Sequence, residues 1–191
     1  MRLTEVAQNW LKSSLMEGDV VIDATLGNGF DALFLAEHIG DSGHLYGFDI
    51  QVEAINQSKQ LLSSKHCKQT FFLHGHQHME IMMPLSSKGK VKAIMFNLGW
   101  LPGSDKRIIT DAATTIAALE QSIMFLAQGG KLSVMVYPGH DGGETEAMQV
   151  IQGLTQTCSQ PKNSLSFEKI VVLHRPTAPV LLQVEKLVKD V

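Results

Sequence analysis

Apolar residues recur along this chain in two rhythms. Short, nearly continuous apolar runs alternate with longer stretches where apolar residues return every three or four positions. The first rhythm predicts strands at 20–24, 44–49, 70–74, 91–97, 131–137, 168–174 and 180–185. The second predicts helices at 30–39, 51–63, 110–128 and 144–157. The first 17 residues read as a further amphipathic helix, with Val6, Trp10 and Leu11 on one face and Leu15 near it. Polar or glycine-containing turns separate the elements, such as Gly40-Asp41-Ser42-Gly43 and Gln128-Gly129-Gly130. With no repeat, low-complexity tract or interdomain linker, residues 1–191 are expected to form one domain.

Alternating strands and helices argue for an α/β fold with a mostly parallel, seven-stranded sheet and helices on both faces. The end of the chain departs from that alternation. Arg175-Pro176-Thr177-Ala178-Pro179 is too short for a crossover helix, so 168–174 and 180–185 should form an antiparallel hairpin. Five parallel strands closed by such a hairpin is the Rossmann-like class I methyltransferase layout rather than the symmetric dinucleotide fold.

Composition narrows the setting. The 44% hydrophobic content is ordinary for a globular chain. No apolar run approaches the roughly 18 residues that cross a bilayer, and the N-terminus lacks a signal-peptide core. Cys67 and Cys158 lie far apart without metal-type spacing, which predicts free thiols and a cytoplasmic protein. A net charge of −3 supplies no global field for nucleic acid, so an RNA substrate would need a local basic patch.

The most informative segment is Asp23-Ala24-Thr25-Leu26-Gly27-Asn28-Gly29-Phe30-Asp31. It places two glycines in a strand-to-helix turn, where backbone can approach a ligand closely and a helix offers free N–H groups. A second strand ends on Asp49, about 20 residues on, the usual distance to an acid that holds ribose hydroxyls. Turn and acid together describe a site for an adenosine-containing cofactor. Gly27-Asn28-Gly29-Phe30-Asp31-Ala32 formally fits the dinucleotide pattern, so a nicotinamide cofactor is one candidate. Against it, the first glycine does not follow the strand directly, and Asp31 puts negative charge where a pyrophosphate would sit. S-adenosylmethionine carries no phosphate but has a sulfonium and an ammonium, which suit Asp23 and Asp31.

Loops at the carboxyl ends of strands carry function in such folds. Asn97-Leu98-Gly99-Trp100-Leu101-Pro102-Gly103-Ser104-Asp105-Lys106 distantly resembles the Asn-Pro-Pro-aromatic loop of methyltransferases that modify amino nitrogens. In that loop an asparagine oxygen accepts from the amine and an aromatic ring packs on the base. Gly99 stands in place of a proline, and Trp100 supplies the ring. Tyr137-Pro138-Gly139-His140-Asp141-Gly142-Gly143-Glu144 is a second candidate wall. Tyr137, His140 and Asp105 are candidates to orient or deprotonate an amine, whereas Glu144 fits a first helical turn. His74-Gly75-His76-Gln77-His78 lacks an acid–histidine pair at ligand spacing, and methyl transfer needs no metal. Following the third strand, His76 and Gln77 are therefore expected in the cofactor pocket, with His74 a core or strand-end histidine. Lys106, Arg107 and Arg175 are candidates for a phosphate-binding patch; Met79, Met82 and Met83 read as core filler.

These three motifs, in this order, resemble a small bacterial group long labelled rRNA methylases (the YtqB type). That group is associated with methylation of the aminomethyl group on a 2-thiouridine at the tRNA wobble position (the MnmM type). The likeness covers nearly the whole chain; Ser104 stands where a glycine is common and Trp100 where a tyrosine is common. The resemblance implies S-adenosylmethionine as cofactor, with Asp23, Gly27, Asn28, Gly29 and Asp31 at its methionine part. It places Asp49 and Gln51 at the ribose and His76 and Gln77 beside the adenine. Asn97, Leu98 and Gly99 would line the methyl-transfer position, and Asp105, Tyr137 and His140 would contact the uridine. It further implies tRNA, read at the anticodon region by loops and by a possible homodimer. Competing expectations are a methyltransferase of rRNA or of a small-molecule amine, a nicotinamide-dependent oxidoreductase, and a degenerate RNA-binding fold.

Overall fold

The computed structural model describes residues 2–99, 111–139, 142–175 and 177–188. Its strands are β1 (Val20–Asp23), β2 (His44–Asp49), β3 (Lys68–Leu73), β4 (Val91–Asn97), β5 (Leu126–Val136), β6 (Leu165–Ile170) and β7 (Val180–Lys186). Its helices are α1 (Leu3–Lys12), α2 (Phe30–Ile39), α3 (Val52–Leu61), α4 (Met79–Met82), α5 (Ala112–Phe125) and α6 (Gly143–Cys158). The strands form one sheet in the order β3-β2-β1-β4-β5-β7-β6. β1 to β5 pair in parallel, and β7 inserts antiparallel between β5 and β6. The expected C-terminal hairpin is present, and this is the class I methyltransferase arrangement.

Side-chain alternation along the strands divides the core in two. Ile22, Tyr46, Phe48, Ile94 and Phe96 pack with Leu119 of α5 and Val150 and Leu154 of α6. Val21, Leu45, Ala93 and Met95 face the other way, onto Leu11 of α1, Leu35 and Ile39 of α2 and Ile55 of α3. The helices bury what their spacing predicts: Ala32, Leu35, Ala36 and Ile39 form one stripe of α2. Each fully buried Leu, Ile or Phe contributes about 1.5–3 kcal/mol relative to an exposed one. This two-sided burial holds the strand ends in register, and the site is built on those ends.

Two expectations shift. The sixth strand was expected at 168–174 but ends at Ile170, because the chain turns there, with the Arg175 N–H donating to the Val172 carbonyl at 3.1 Å. Val171, Val172 and Leu173 are consequently exposed despite their strand-like composition. Gly129 and Gly130, expected to form a turn ahead of β5, lie inside it. Val91 pairs with Leu126 and Ala93 with Lys131, so the glycines sit in a bulge. A side chain at Gly130 would meet the Ala127 and Val91 carbonyl oxygens at 2.8 Å. Following β3 as expected, His76–His78 is a turn of 3-10 helix leading into α4. Met79 and Met83 are buried, with Met82 packed against the same cluster.

Gly29 illustrates how closely the turn after β1 is fitted. It caps α2 in the left-handed region at φ 81°, and a Cβ there would lie 3.0 Å from Ser58 Cα. Gly29→Ala is expected to lower stability by at least about 1–2 kcal/mol, the cost of a left-handed non-glycine residue. Urea denaturation measures it, and an unchanged midpoint would show that the turn relaxes elsewhere.

Candidate active site

At the carboxyl ends of the central strands, backbone hydrogen bonds lay the turn after β1 across its neighbours. The Ala24 N–H donates to Met95 O at 2.8 Å and the Leu26 N–H to Phe48 O at 3.0 Å. Asp49, closing β2, fixes this turn from the side. Its Oδ2 accepts the Gly27 N–H at 2.9 Å and its Oδ1 the Gln51 N–H at 2.9 Å. Each carboxylate oxygen retains acceptor capacity for a ligand hydroxyl.

A second group of polar side chains converges where β1, β4 and β5 end. Asn97 donates from Nδ2 to Asp31 Oδ2 at 3.3 Å and accepts the Tyr137 O–H on Oδ1 at 2.7 Å. Its backbone N–H donates to Thr25 Oγ1 at 2.7 Å. The Asp31 carboxylate fixes the sense of the Asn97 amide, since it can only accept from the nitrogen, which leaves the oxygen to accept the Tyr137 O–H. Gln8 of α1 completes the group, donating from Nε2 to Asp31 Oδ1 at 3.2 Å.

The electrostatics follow from burial and crowding. Burial pushes the Asp31 carboxyl up, while the hydrogen bonds from Gln8 and Asn97 work against the rise. Asp23 is raised well above the usual carboxylate range, first by burial and then by Asp31, with the Thr25 and Ala32 N–H groups opposing and Asp49 adding to the rise. Burial, then the Asp31 charge, raises Tyr137. Such a cluster of acids favours a positively charged occupant.

Beside this group opens a cleft of about 270 Å³. Asp49, Ile50 and Gln51 line one side, and Gly75, His76 and Gln77 another. Ala24, Thr25, Phe48 and Gly99 also face it, as do Asp111 and Thr114 at the start of α5. Asp111 caps that helix, accepting the Ala113 and Thr114 N–H groups at 3.0 and 3.2 Å. His76 Nδ1 lies 3.3 Å from the Ala24 carbonyl, so Nδ1 carries the proton. Burial holds this ring neutral, lowering its pKa to about 4.

The structure thus brings Asp49, Gln51, His76, Gln77 and Gly99 into one cleft and sets Asp31, Asn97 and Tyr137 in one hydrogen-bonded group. Gly27, Asn28 and Gly29 form the turn between them. Asp23 lies beneath that turn, 1% exposed, and accepts the Thr25 N–H at 3.1 Å. The Leu98 side chain is buried in the core, and its N–H donates to the Met135 carbonyl at 2.9 Å. Arg175 is exposed on the turn after β6, at the same end of the sheet. His74 and His78 are exposed, their rings 6.0 Å apart, and no group of metal-ligating side chains occurs among the described residues. Trp100, Asp105, Lys106, Arg107 and His140 lie outside the described residues. Sequence reasoning missed Gln8, Asp111 and Thr114. Thr25 stood within the glycine motif, and its hydroxyl beside Asn97 was the available signal.

Strand order, the reversed β7 and a glycine turn clamped by an acid define a class I methyltransferase. The oxidoreductase expectation is set aside, since the symmetric dinucleotide fold has no such inserted strand. The chain belongs to the family described as "Putative rRNA methylase", whose model matches residues 45–185. It is 36% identical, over 95% of its length and 68% of the relative's, to the chloroplastic tRNA (mnm(5)s(2)U34)-methyltransferase of Arabidopsis thaliana. Among solved structures it is similar to a "putative rRNA-methylase" from Clostridium thermocellum, with TM-score 0.90, 33% identity and 98% of each chain covered. A Streptococcus mutans protein described as "a putative methyltransferase", solved in complex with SAH, has TM-score 0.83 and 29% identity, covering 98% of this chain and 99% of that one.

The buried, neutral His76 gives a pH signature. Its folded pKa lies below the unfolded value of 6.5, so the unfolded chain takes up the proton first and stability falls as pH drops from 6.5 toward about 4. Between pH 7 and pH 5, wild type is expected to lose about 2 kcal/mol more than His76→Phe. Urea titrations at the two pH values measure this; equal losses would mean that His76 is not held neutral.

Proposed function

We propose that this protein is an S-adenosylmethionine-dependent N-methyltransferase. Its substrate is the aminomethyl group of 5-aminomethyl-2-thiouridine at the tRNA wobble position. The observation that carries the reading is the Asn97 side chain, pinned between Asp31 and Tyr137 at the edge of an adenosine-sized cleft. The relation to the Arabidopsis enzyme supports the substrate. We read residues 1–191 as one such domain, acting in the cytoplasm on the anticodon region as a homodimer.

The residues present fit the cofactor. Asp49 and Gln51 would hold the ribose, and Ile50, His76 and Gln77 the adenine. The turn Gly27, Asn28 and Gly29 with Asp31 would hold the methionine part, where a neighbouring acid suits a cation. Asp23 shapes that turn from below, its Oδ1 accepting the Thr25 N–H. When bound, S-adenosylmethionine supplies a methyl group on a positively charged sulfur. Asn97 Oδ1 keeps a lone pair free of the Tyr137 O–H, and there it would accept a hydrogen bond from the substrate amine. That contact, with the Leu98 and Gly99 main chain, would orient the amine for the methyl group that the cofactor supplies. Most of the acceleration then comes from positioning and desolvation. Asp105, Tyr137 and His140 are our candidates for contact with the uridine, Trp100 for stacking on the base, and Lys106, Arg107 and Arg175 for phosphate contacts.

Mass spectrometry of tRNA nucleosides from cells lacking this gene tests the reading. Accumulation of 5-aminomethyl-2-thiouridine and loss of its methylated product is expected. An unchanged wobble profile would move the substrate to rRNA or a small amine. Asn97→Ala should abolish most turnover while still binding S-adenosylhomocysteine, and an active Asn97→Ala enzyme would count against amine positioning. Asp49→Ala should weaken S-adenosylhomocysteine binding by about 1.5–3 kcal/mol in calorimetry, because charge-assisted hydrogen bonds are lost. Unchanged affinity would place the ribose elsewhere.

A further inference from the structure

Gln8 lies in α1, far in sequence from the motifs that build the site. Its Nε2 donates to Asp31 Oδ1 at 3.2 Å, while Asn97 Nδ2 donates to Oδ2 at 3.3 Å. The two carboxylate oxygens of Asp31 are therefore held by amide donors from opposite elements. α1 does not depend on this contact for its place. Lys131, buried on β5, donates from Nζ to the Trp10 carbonyl at 3.0 Å and to Ser13 Oγ at 2.7 Å. The Lys131 ammonium also lies 4.8 Å from the centre of the Trp10 ring, and Leu11 is fully buried. The helix is thus anchored independently, and Gln8 is presented to Asp31 from a fixed base.

We propose that Gln8 is a positioning residue of the methyl-transfer site, orienting the Asp31 carboxylate and favouring its charged form. This rests on the methyltransferase reading, in which Asp31 faces the cationic part of the cofactor. Among the described residues, Asp31 is faced by Gln8 from α1, Asp23 from β1, Asn97 from β4 and Tyr137 beyond β5, while Asp49 of β2 bears on Asp23. Burial favours a neutral carboxyl here, and the two amide donors oppose that. Without Gln8 one donor remains, so the proton is retained to higher pH. A cationic ligand must then displace that proton before it gains the carboxylate.

Gln8→Met keeps length and helix propensity but removes the donor; Gln8→Glu keeps shape and adds a like charge. Both, with wild type, are titrated calorimetrically with S-adenosylhomocysteine, whose ammonium is the cation read, from about pH 5 to about pH 8. Thermal melts run alongside. Gln8→Met should melt close to wild type, bind roughly tenfold more weakly at the acidic end and recover toward wild type at the alkaline end. Gln8→Glu should shift the dependence further in the same direction. A deficit of constant size at every pH, or none, in whichever variant folds would overturn the proposal, because loss of packing alone does not titrate. A wild-type protein with no affinity for S-adenosylhomocysteine would instead overturn the methyltransferase reading, and this inference with it.

Discussion

β1 and β4 lie side by side at the centre of the sheet although the chain builds two other strands between them. From that boundary the winding runs outward in both directions, so the loops after β1 and β4 leave in opposite senses and a crevice opens between them. The site inherits its layout from this one adjacency. It sets the Thr25 hydroxyl 2.7 Å from the Asn97 N–H, and the turn after β1 beside the β4 loop. Asp49, from the next strand out, holds the other side of the turn. Cleft and amide group are therefore two sides of one loop.

The fold was legible because its core is periodic. Strand alternation and helical stripes report burial residue by residue, and short connections leave few topologies. Misplaced boundaries arose where local preference and pairing disagree: Val171-Val172-Leu173 has strand composition but lies beyond a turn. Gly129 and Gly130 look like a break, yet a bulge absorbs them. The site was legible where backbone demands leave a signature, as in the glycine turn and the acid at the end of β2. Gln8 left none. A glutamine on an amphipathic helix reads as solvent-facing, and its partner Asp31 is 23 residues away in sequence. Nor did Asp23 announce that it lies under the turn, because a sequence reports charge without depth.

The polar chemistry is economical in charge. Asp23, Asp31 and Asp49 stand close together, and the groups that stabilise them in this structure are amide donors: Thr25, Gln8, Asn97, Gly27 and Gln51. Neutral donors hold carboxylates in place without cancelling their field. A lysine or arginine in their position would bind the acids more firmly and extinguish the potential that a cationic ligand senses.

The placing of β7 bears on how the molecule is assembled. β6 comes earlier in the chain, but the strand it pairs with is β7, which also closes against β5. β6 thus has no ladder to join until the following strand has docked, and its edge groups stay unpaired until then. β1 to β5 can zip together in the order they appear, each new strand joining one already in place. The far edge must instead form as a pair, in one concerted step of higher loop entropy. A chain interrupted between β6 and β7 would be left with a nearly complete cofactor cleft and an unfinished, adhesive sheet edge, binding-competent in outline and prone to self-association.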